Sequence, residues 1–297
     1  MRPRHRLEYA GLAALAAVLR ALPRGAALAT GAALGEFGWL LRIRRAVVEA
    51  NLAQALPLAA ARERRRIGAR AARNFGRTVA EFVRFAGTDR SRIGELVTLE
   101  GAEALRAAAA AGGAIVVTAH LGAWALYVTA VAAAGIPSAL LVGRQHNPKV
   151  QRFILAIPGR AVRLVAKSKA APREILHSLK EGRAVVMVAD HRAGRGGILA
   201  PFLGRVGSTL PLPGAIAARH RTPLFVMAGR RTDDGRHRVT ITPLPLPSAA
   251  SEDELRVAIA TACNDALGRA IAACPEQYFW YHRRWLGAPP AAAPRPE

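Results

Sequence analysis

An apolar run, AIVVTA at 114–119, ends on a single histidine, His120. Gly122 and Trp124 follow, and then a helix-like segment begins. A neutral imidazole, near its unperturbed pKa of about 6.5, is suited to take a proton from an alcohol that attacks an acyl group. A second apolar run, AVVMVA at 184–189, ends on Asp190, with His191, Arg192 and a glycine-rich stretch behind it. A third, SALLVG at 138–143, ends on Arg144, a residue type that binds phosphate or a developing oxyanion. Each residue also has a plainer reading. The histidine can be satisfied by backbone, the aspartate can cap a helix or form a turn, and the arginine can be solvated. The segment PEQYFWYHRRW at 275–285 is aromatic and basic. Tyr278, Trp280, Tyr281 and Trp285 can anchor an interface, with Arg283 and Arg284 on phosphate, or the segment can close the core.

The elements that must position these residues follow from the hydrophobic pattern. Strands are expected at 114–119, 138–143, 162–165, 184–189, 223–228 and 238–242. Helices are expected at 61–86, 101–111, 123–134, 147–157, 171–181, 211–221 and 252–272. Short β-rich runs separated by helices imply an α/β fold with a central, mostly parallel or mixed sheet flanked by helices. Such sheets carry ligand sites at the carboxyl ends of their strands, where His120, Arg144 and Asp190 fall.

The chain has 297 residues and a net charge of +23, from 43 basic against 20 acidic residues. This field suits polyanions: nucleic acid, anionic lipid or an acidic carrier protein. A 52% hydrophobic share excludes a disordered chain. Aromatics are only 5%, which speaks against a stacking platform for single-stranded nucleic acid, and no nucleic-acid-binding motif is present. Cys263 and Cys274 lie eleven residues apart, about 16 Å along a continuous helix, so a disulfide would require that helix to break.

At the N-terminus, apolar runs at 9–19 and 25–35 are broken by Arg20, Pro23 and Arg24. Neither reaches the roughly 20 residues of a spanning helix. They fit membrane-surface or shallowly inserted helices, with Arg20, Arg24, Arg42, Arg44 and Arg45 at lipid phosphates; two ordinary helices packed on the domain are the alternative. Three parts are expected: membrane-associating helices over 1–60, an α/β domain over 61–287, and a Pro/Ala-rich disordered tail over 288–297.

In order along the chain, NLAQALP, VTLEGAEALRAAAAAGGAIVVTAHLGAWAL, VMVADHRAGRGGILAPFLGR and PEQYFWYHRRW resemble the motifs of the bacterial lipid A biosynthesis acyltransferases. These are lauroyl and myristoyl transferases of the lysophospholipid acyltransferase superfamily. The resemblance implies a glycerol-phosphate-acyltransferase-like fold on the cytoplasmic face of the inner membrane. It implies that an acyl chain passes from acyl carrier protein thioester to a hydroxyl of a glycolipid, with no cofactor and no metal. His120 would be the general base and Asp190 a second catalytic residue. Gly122, Trp124, Arg144, Arg192, Gly204 and Arg205 would bind substrate.

One position departs from the pattern. The family has Asp or Glu five residues after the histidine, and Ala125 stands there. That carboxylate orients the imidazole and stabilises its charged form, and losing it in other triads costs on the order of 10⁴ in rate. Either another carboxylate reaches His120, with Asp190 the best placed, or the enzyme is slow. A third possibility is a catalytically impaired member that binds lipid or carrier protein.

Overall fold

The computed structural model describes residues 3–85, 90–143, 147–155 and 162–285. Helices α1 (Pro3–Ala21), α2 (Arg24–Leu40), α3 (Arg45–Ala55), α4 (Ala61–Phe85) and α5 (Arg90–Leu96) lead into β1 (Val97–Glu100). Then follow α6 (Ala102–Ala110), β2 (Ala114–Thr118), α7 (Trp124–Ala133), β3 (Ser138–Val142), α8 (Pro148–Leu155), β4 (Val162–Ala166), α9 (Ala171–Lys180) and β5 (Ala184–Val188). A hairpin, β6 (Ile198–Phe202) and β7 (Arg205–Thr209), precedes α10 (Leu212–His220), β8 (Leu224–Arg231), β9 (His237–Pro243) and α11 (Glu252–Ala273).

The main sheet has seven strands in the order β1-β9-β8-β2-β5-β3-β4. Every neighbouring pair is parallel except β8–β9. All six expected strands form, and β8 runs on to Arg231. The β2 sequence AIVVT is buried along its whole length, as befits a central strand covered on both faces. Its alternation assigns the faces. Ile115 and Val117 join one core with α9, α10 and α11, while Ala114 and Val116 join another with α5, α6 and α7. Helices α3 and α5, the short edge strand β1 and the β6–β7 hairpin, whose Pro201 reads as a strand breaker, escaped the hydrophobic pattern.

The N-terminal helices do not stand apart from the domain. Helix α2 lies against α4 at backbone contact, because Gly31 faces Gly76 and Gly35 faces Ala72. A Cβ on Gly31 would sit 2.4 Å from the Gly76 carbonyl oxygen, and one on Gly76 would sit 1.9 Å from that of Gly31. Helix α1 packs Ala16 and Leu19 against Ala80 and Val83 of α4. Among the described residues, no helix is long and apolar enough to cross a membrane. Cys263 and Cys274 are both buried, free thiols. The tail at 288–297 lies outside the described residues.

Candidate active site

Strand register brings the first two candidate residues together. Strands β2 and β5 are parallel neighbours with Thr118 opposite Val188, so His120 and Asp190 each lie two residues beyond a matched pair. The ladder continues through a hydrogen bond from Ala189 N–H to Thr118 O at 3.0 Å. At the level of the two side chains, His120 Nδ1 lies 2.8 Å from Asp190 Oδ1, and His120 N–H donates to Oδ2 at 3.2 Å. Both carboxylate oxygens therefore hold residue 120.

The charge states follow from these contacts. Asp190 is fully buried, and burial alone would raise its carboxyl. The charge of His120 and the hydrogen bond from it outweigh that and hold the group well below the usual carboxylate range. An ionised carboxylate only accepts, so Nδ1 carries the proton. Nε2 is then the basic nitrogen, on a side chain that is 19% exposed and lines a cavity.

Rings surround this imidazole. His191 stacks on it at 4.1 Å with an interplanar angle of 10°, and Trp124 meets it edge-on at 5.0 Å. His282 lies 4.4 Å behind His191 and bonds the Tyr278 hydroxyl at 3.2 Å. Burial, then the neighbouring His120, lowers the His191 pKa to about 3. Burial likewise brings His282 to about 4, against a partial rise from Asp190. Both rings are neutral near pH 7 and add no competing charge when His120 is protonated.

Ligating atoms of His120, Asp190 and His191 lie within 4.8 Å of one another, a donor set that invites a metal reading. The stacking opposes it. A metal sits in the plane of each imidazole it binds, and two parallel rings offer their lone pairs in separate planes.

The turn after β2 is clamped by the C-terminal aromatic segment. Gly122 takes φ +58°, in the left-handed region, and its N–H donates to Gln277 O at 3.0 Å. Leu121 forms a β-bridge with Tyr278, and Phe279 N–H donates to His120 O at 3.0 Å. From α4, the Thr78 hydroxyl donates to Gly122 O at 3.2 Å.

A cavity of about 650 Å³ opens beside His120, within the range of small-molecule sites. It lies at the carboxyl ends of β2, β3, β4 and β5. Its walls are mostly aliphatic and aromatic: Phe75, Val79, Phe82 and Val83 from α4, Leu140 and Leu141 from β3, Phe153 from α8, and Leu12 from α1. Phe75 and Val83 stand eight positions apart on α4, roughly 12 Å of helix. The Phe75 end meets Phe279, a neighbour of His120, and the Val83 end packs with α1 and α8. Lys167 and Arg192 add cationic groups to the lining.

Gly122, Trp124 and Arg192 of the expected binding set line this cavity, as does Ala125 in the first turn of α7. Arg144 lies outside the described residues. Gly204 and Arg205 are not among the lining residues. With Leu203, Gly204 makes the tight turn of the β6–β7 hairpin, and Arg205 begins β7, so this segment is spent on a turn. Arg284 is not placed for substrate phosphate either. It is buried over the Phe202 ring and donates to Ser208 O at 2.6 Å and to Thr209 Oγ1 at 2.9 Å. Trp280 and Trp285 are buried as well, so half of the aromatic motif closes the core while Tyr278 and Phe279 serve the site. His191, His282, Phe279 and Lys167 went unassigned in the sequence. Only the adjacency of His191 to Asp190 and the place of Lys167 just after β4 could have flagged any of them.

The model of the family described as bacterial lipid A biosynthesis acyltransferase matches residues 2–287. A search of curated proteins finds no match. Among solved structures, the chain is similar to the 1-acyl-sn-glycerophosphate acyltransferase PlsC of Thermotoga maritima. Identity is 16% and the TM-score 0.39, over 86% of this chain and all of that one.

Proposed function

The chain belongs to the bacterial lipid A biosynthesis acyltransferase family, and from that premise we propose how this acyltransferase joins its acyl donor to its lipid acceptor. The donor is an acyl carrier protein thioester, and the acceptor is a hydroxyl of a lipid A precursor or a related lysolipid or glycolipid. His120 is the general base. The observation that carries this reading is the 2.8 Å His120–Asp190 contact at the wall of a long apolar cavity.

The acceptor O–H gives its proton to His120 Nε2 as the oxygen attacks the thioester carbonyl. Asp190, ionised and hydrogen-bonded at Nδ1, stabilises the imidazolium that forms. The tetrahedral intermediate collapses, the C–S bond breaks, and the Nε2 proton leaves on the departing thiol. Atoms and charge balance without a redox partner. The acyl chain lies along α4 toward α1 and α8, where burial of each methylene contributes about 0.8 kcal/mol. Lys167 and Arg192 face acidic groups of donor or acceptor.

A lipid surface is the proposed workplace, at the cytoplasmic face of the inner membrane. Phe37, Leu40, Leu41 and Ile43, at the end of α2 and in the turn after it, are all more than half exposed, with Arg42 between them and Arg44 directly after. Apolar side chains interleaved with arginines suit the boundary between acyl chains and phosphates. The +23 charge favours both an anionic membrane and an acidic carrier.

Ala125 keeps a second reading in play, a lipid- or carrier-binding member that has lost catalysis. Transfer of labelled acyl chains from acyl carrier protein to candidate acceptors decides between the two. Turnover that disappears in His120→Ala supports the enzyme. Turnover unchanged by that substitution overturns the role of His120, and binding without turnover in the native chain supports the second reading.

A further inference from the structure

A second polar system reaches the same turn from within the core. Glu81, on α4, is completely buried among one imidazole and two guanidinium groups. Arg231 donates to it through Nη2 at 2.5 Å and Nε at 3.2 Å, His237 Nε2 lies 3.0 Å away, and Arg24 approaches to 3.5 Å. The other nitrogen of His237, Nδ1, faces the Tyr127 hydroxyl at 3.1 Å. That hydroxyl in turn accepts from Ala123 N–H at 2.9 Å.

The hydrogen bonds run in one direction. A hydroxyl that accepts from a backbone N–H still has its own proton to give, and His237 Nδ1 receives it. Nε2 then carries the proton donated to Glu81. The chain is Ala123 N–H to Tyr127, Tyr127 to His237, and His237 to Glu81. Burial opposes the charge on Glu81, yet the His237 hydrogen bond and the Arg231 charge bring its carboxyl down to about 2. Burial drives the Tyr127 phenol well above its ordinary range, so it stays a neutral donor.

Ala123 is three residues from His120 and caps α7, with no side-chain cap of its own. Tyr127, one turn on, supplies the missing partner from inside the helix. The fit is close on both sides of the phenol. A Cβ on Gly122 would lie 2.2 Å from the hydroxyl oxygen, and one on Gly229 would lie 2.4 Å from ring carbon Cε2. The ring is therefore slotted between the catalytic turn and β8.

We propose that Tyr127, His237 and Glu81 are positioning residues that fix the turn carrying His120, so that Asp190 and the cavity see one orientation of its ring. The proposal rests on His120 being the base, and the test separates the two. Tyr127→Phe removes only the hydroxyl. The expected result is a fall in kcat of roughly ten- to a hundred-fold with KM within about twofold, because one buried N–H loses its partner at the reacting turn. A purely structural role would lower the yield of folded protein and leave kcat per folded molecule intact.

His237→Gln is the second variant. It does not touch the turn and keeps an amide donor for Glu81, so it should lower kcat in the same direction by less. A third readout needs no turnover: the His120 ring resonances in histidine-labelled protein, assigned against His120→Gln, should shift in Tyr127→Phe. Wild-type kcat in both variants, or unshifted His120 resonances in folded Tyr127→Phe, overturns the proposal. A native chain that transfers no acyl group but shows the resonance shift defeats the functional reading and leaves the positioning role standing.

Discussion

Two buried carboxylate–imidazole pairs lie among the described residues, at nearly the same separation and with different uses. His120 and Asp190 meet at 2.8 Å, and His237 and Glu81 at 3.0 Å. Both carboxylates are fully buried. What differs is the second nitrogen. In His120, Nε2 belongs to a side chain that lines the cavity. In His237, Nδ1 is spent on Tyr127, and the residue is 1% exposed. In the proposed function, the same two groups make a base where one nitrogen is left for substrate and a strut where both are engaged. A pairing distance alone does not separate the cases; the path to solvent does.

The comparison breaks first at Asp190. Asp190→Asn should lower kcat by on the order of 10⁴ and leave KM nearly unchanged, since the amide no longer enforces the Nδ1–H form. Steady-state kinetics with a labelled acyl thioester reads this out. A loss below tenfold would mean that another group orients His120.

Glu81→Ala should lower stability, in addition to the modest fall in kcat expected of a positioning residue. Removing one partner from a buried ionic cluster costs about 3–5 kcal/mol, measurable as a drop in the denaturant midpoint. Equal stability in native and variant protein would remove the strut from the comparison.

Acid sharpens the same contrast. Glu81 has a folded pKa of about 2 against an ordinary 4.5. Its contribution is complete above about pH 4.5 and is lost as pH falls from there toward 2. His282 works in the same sense at higher pH. Its folded pKa of about 4 lies below its ordinary 6.5, so the folded state loses stability as pH falls through that interval. Unfolding midpoints followed down in pH should show both segments, and Glu81→Gln should flatten only the lower one.

The smallest effect is expected at Ala125→Glu. Nδ1 of His120 is already taken by Asp190, so a new carboxylate in the first turn of α7 has no vacant position to fill. Activity should stay within a few-fold of native. A large gain would show that the Asp190 contact is not the working arrangement.

Much of this was legible before any fold was known. The strand runs ending on His120 and Asp190 announced a pair of polar strand ends, because β-branched stretches buried on both faces form the centre of a parallel sheet. The charge pattern and the aromatic C-terminal segment were legible too, although Arg284 and Trp280 turned out to serve the core. Gly204 and Arg205 misled, since a glycine-rich run near a site looks the same whether it wraps a ligand or turns a hairpin. The Glu81–His237–Tyr127 chain was invisible. Its two contacts join residues 156 and 110 positions apart, with no spacing rule to connect them.

The sequence by itself determined which strands form and which residues stand at their ends, because local hydrophobic periodicity and β-propensity are written in consecutive residues. It also determined that no carboxylate would follow His120 in its own turn. Only the tertiary structure decided that Asp190 takes that place. The Thr118–Val188 register aligns two strand ends 70 residues apart, and such a register is set by helices packing on both faces of the sheet. It likewise decided which imidazole keeps a nitrogen for chemistry, because access to the cavity depends on how α1, α4 and α8 close around it.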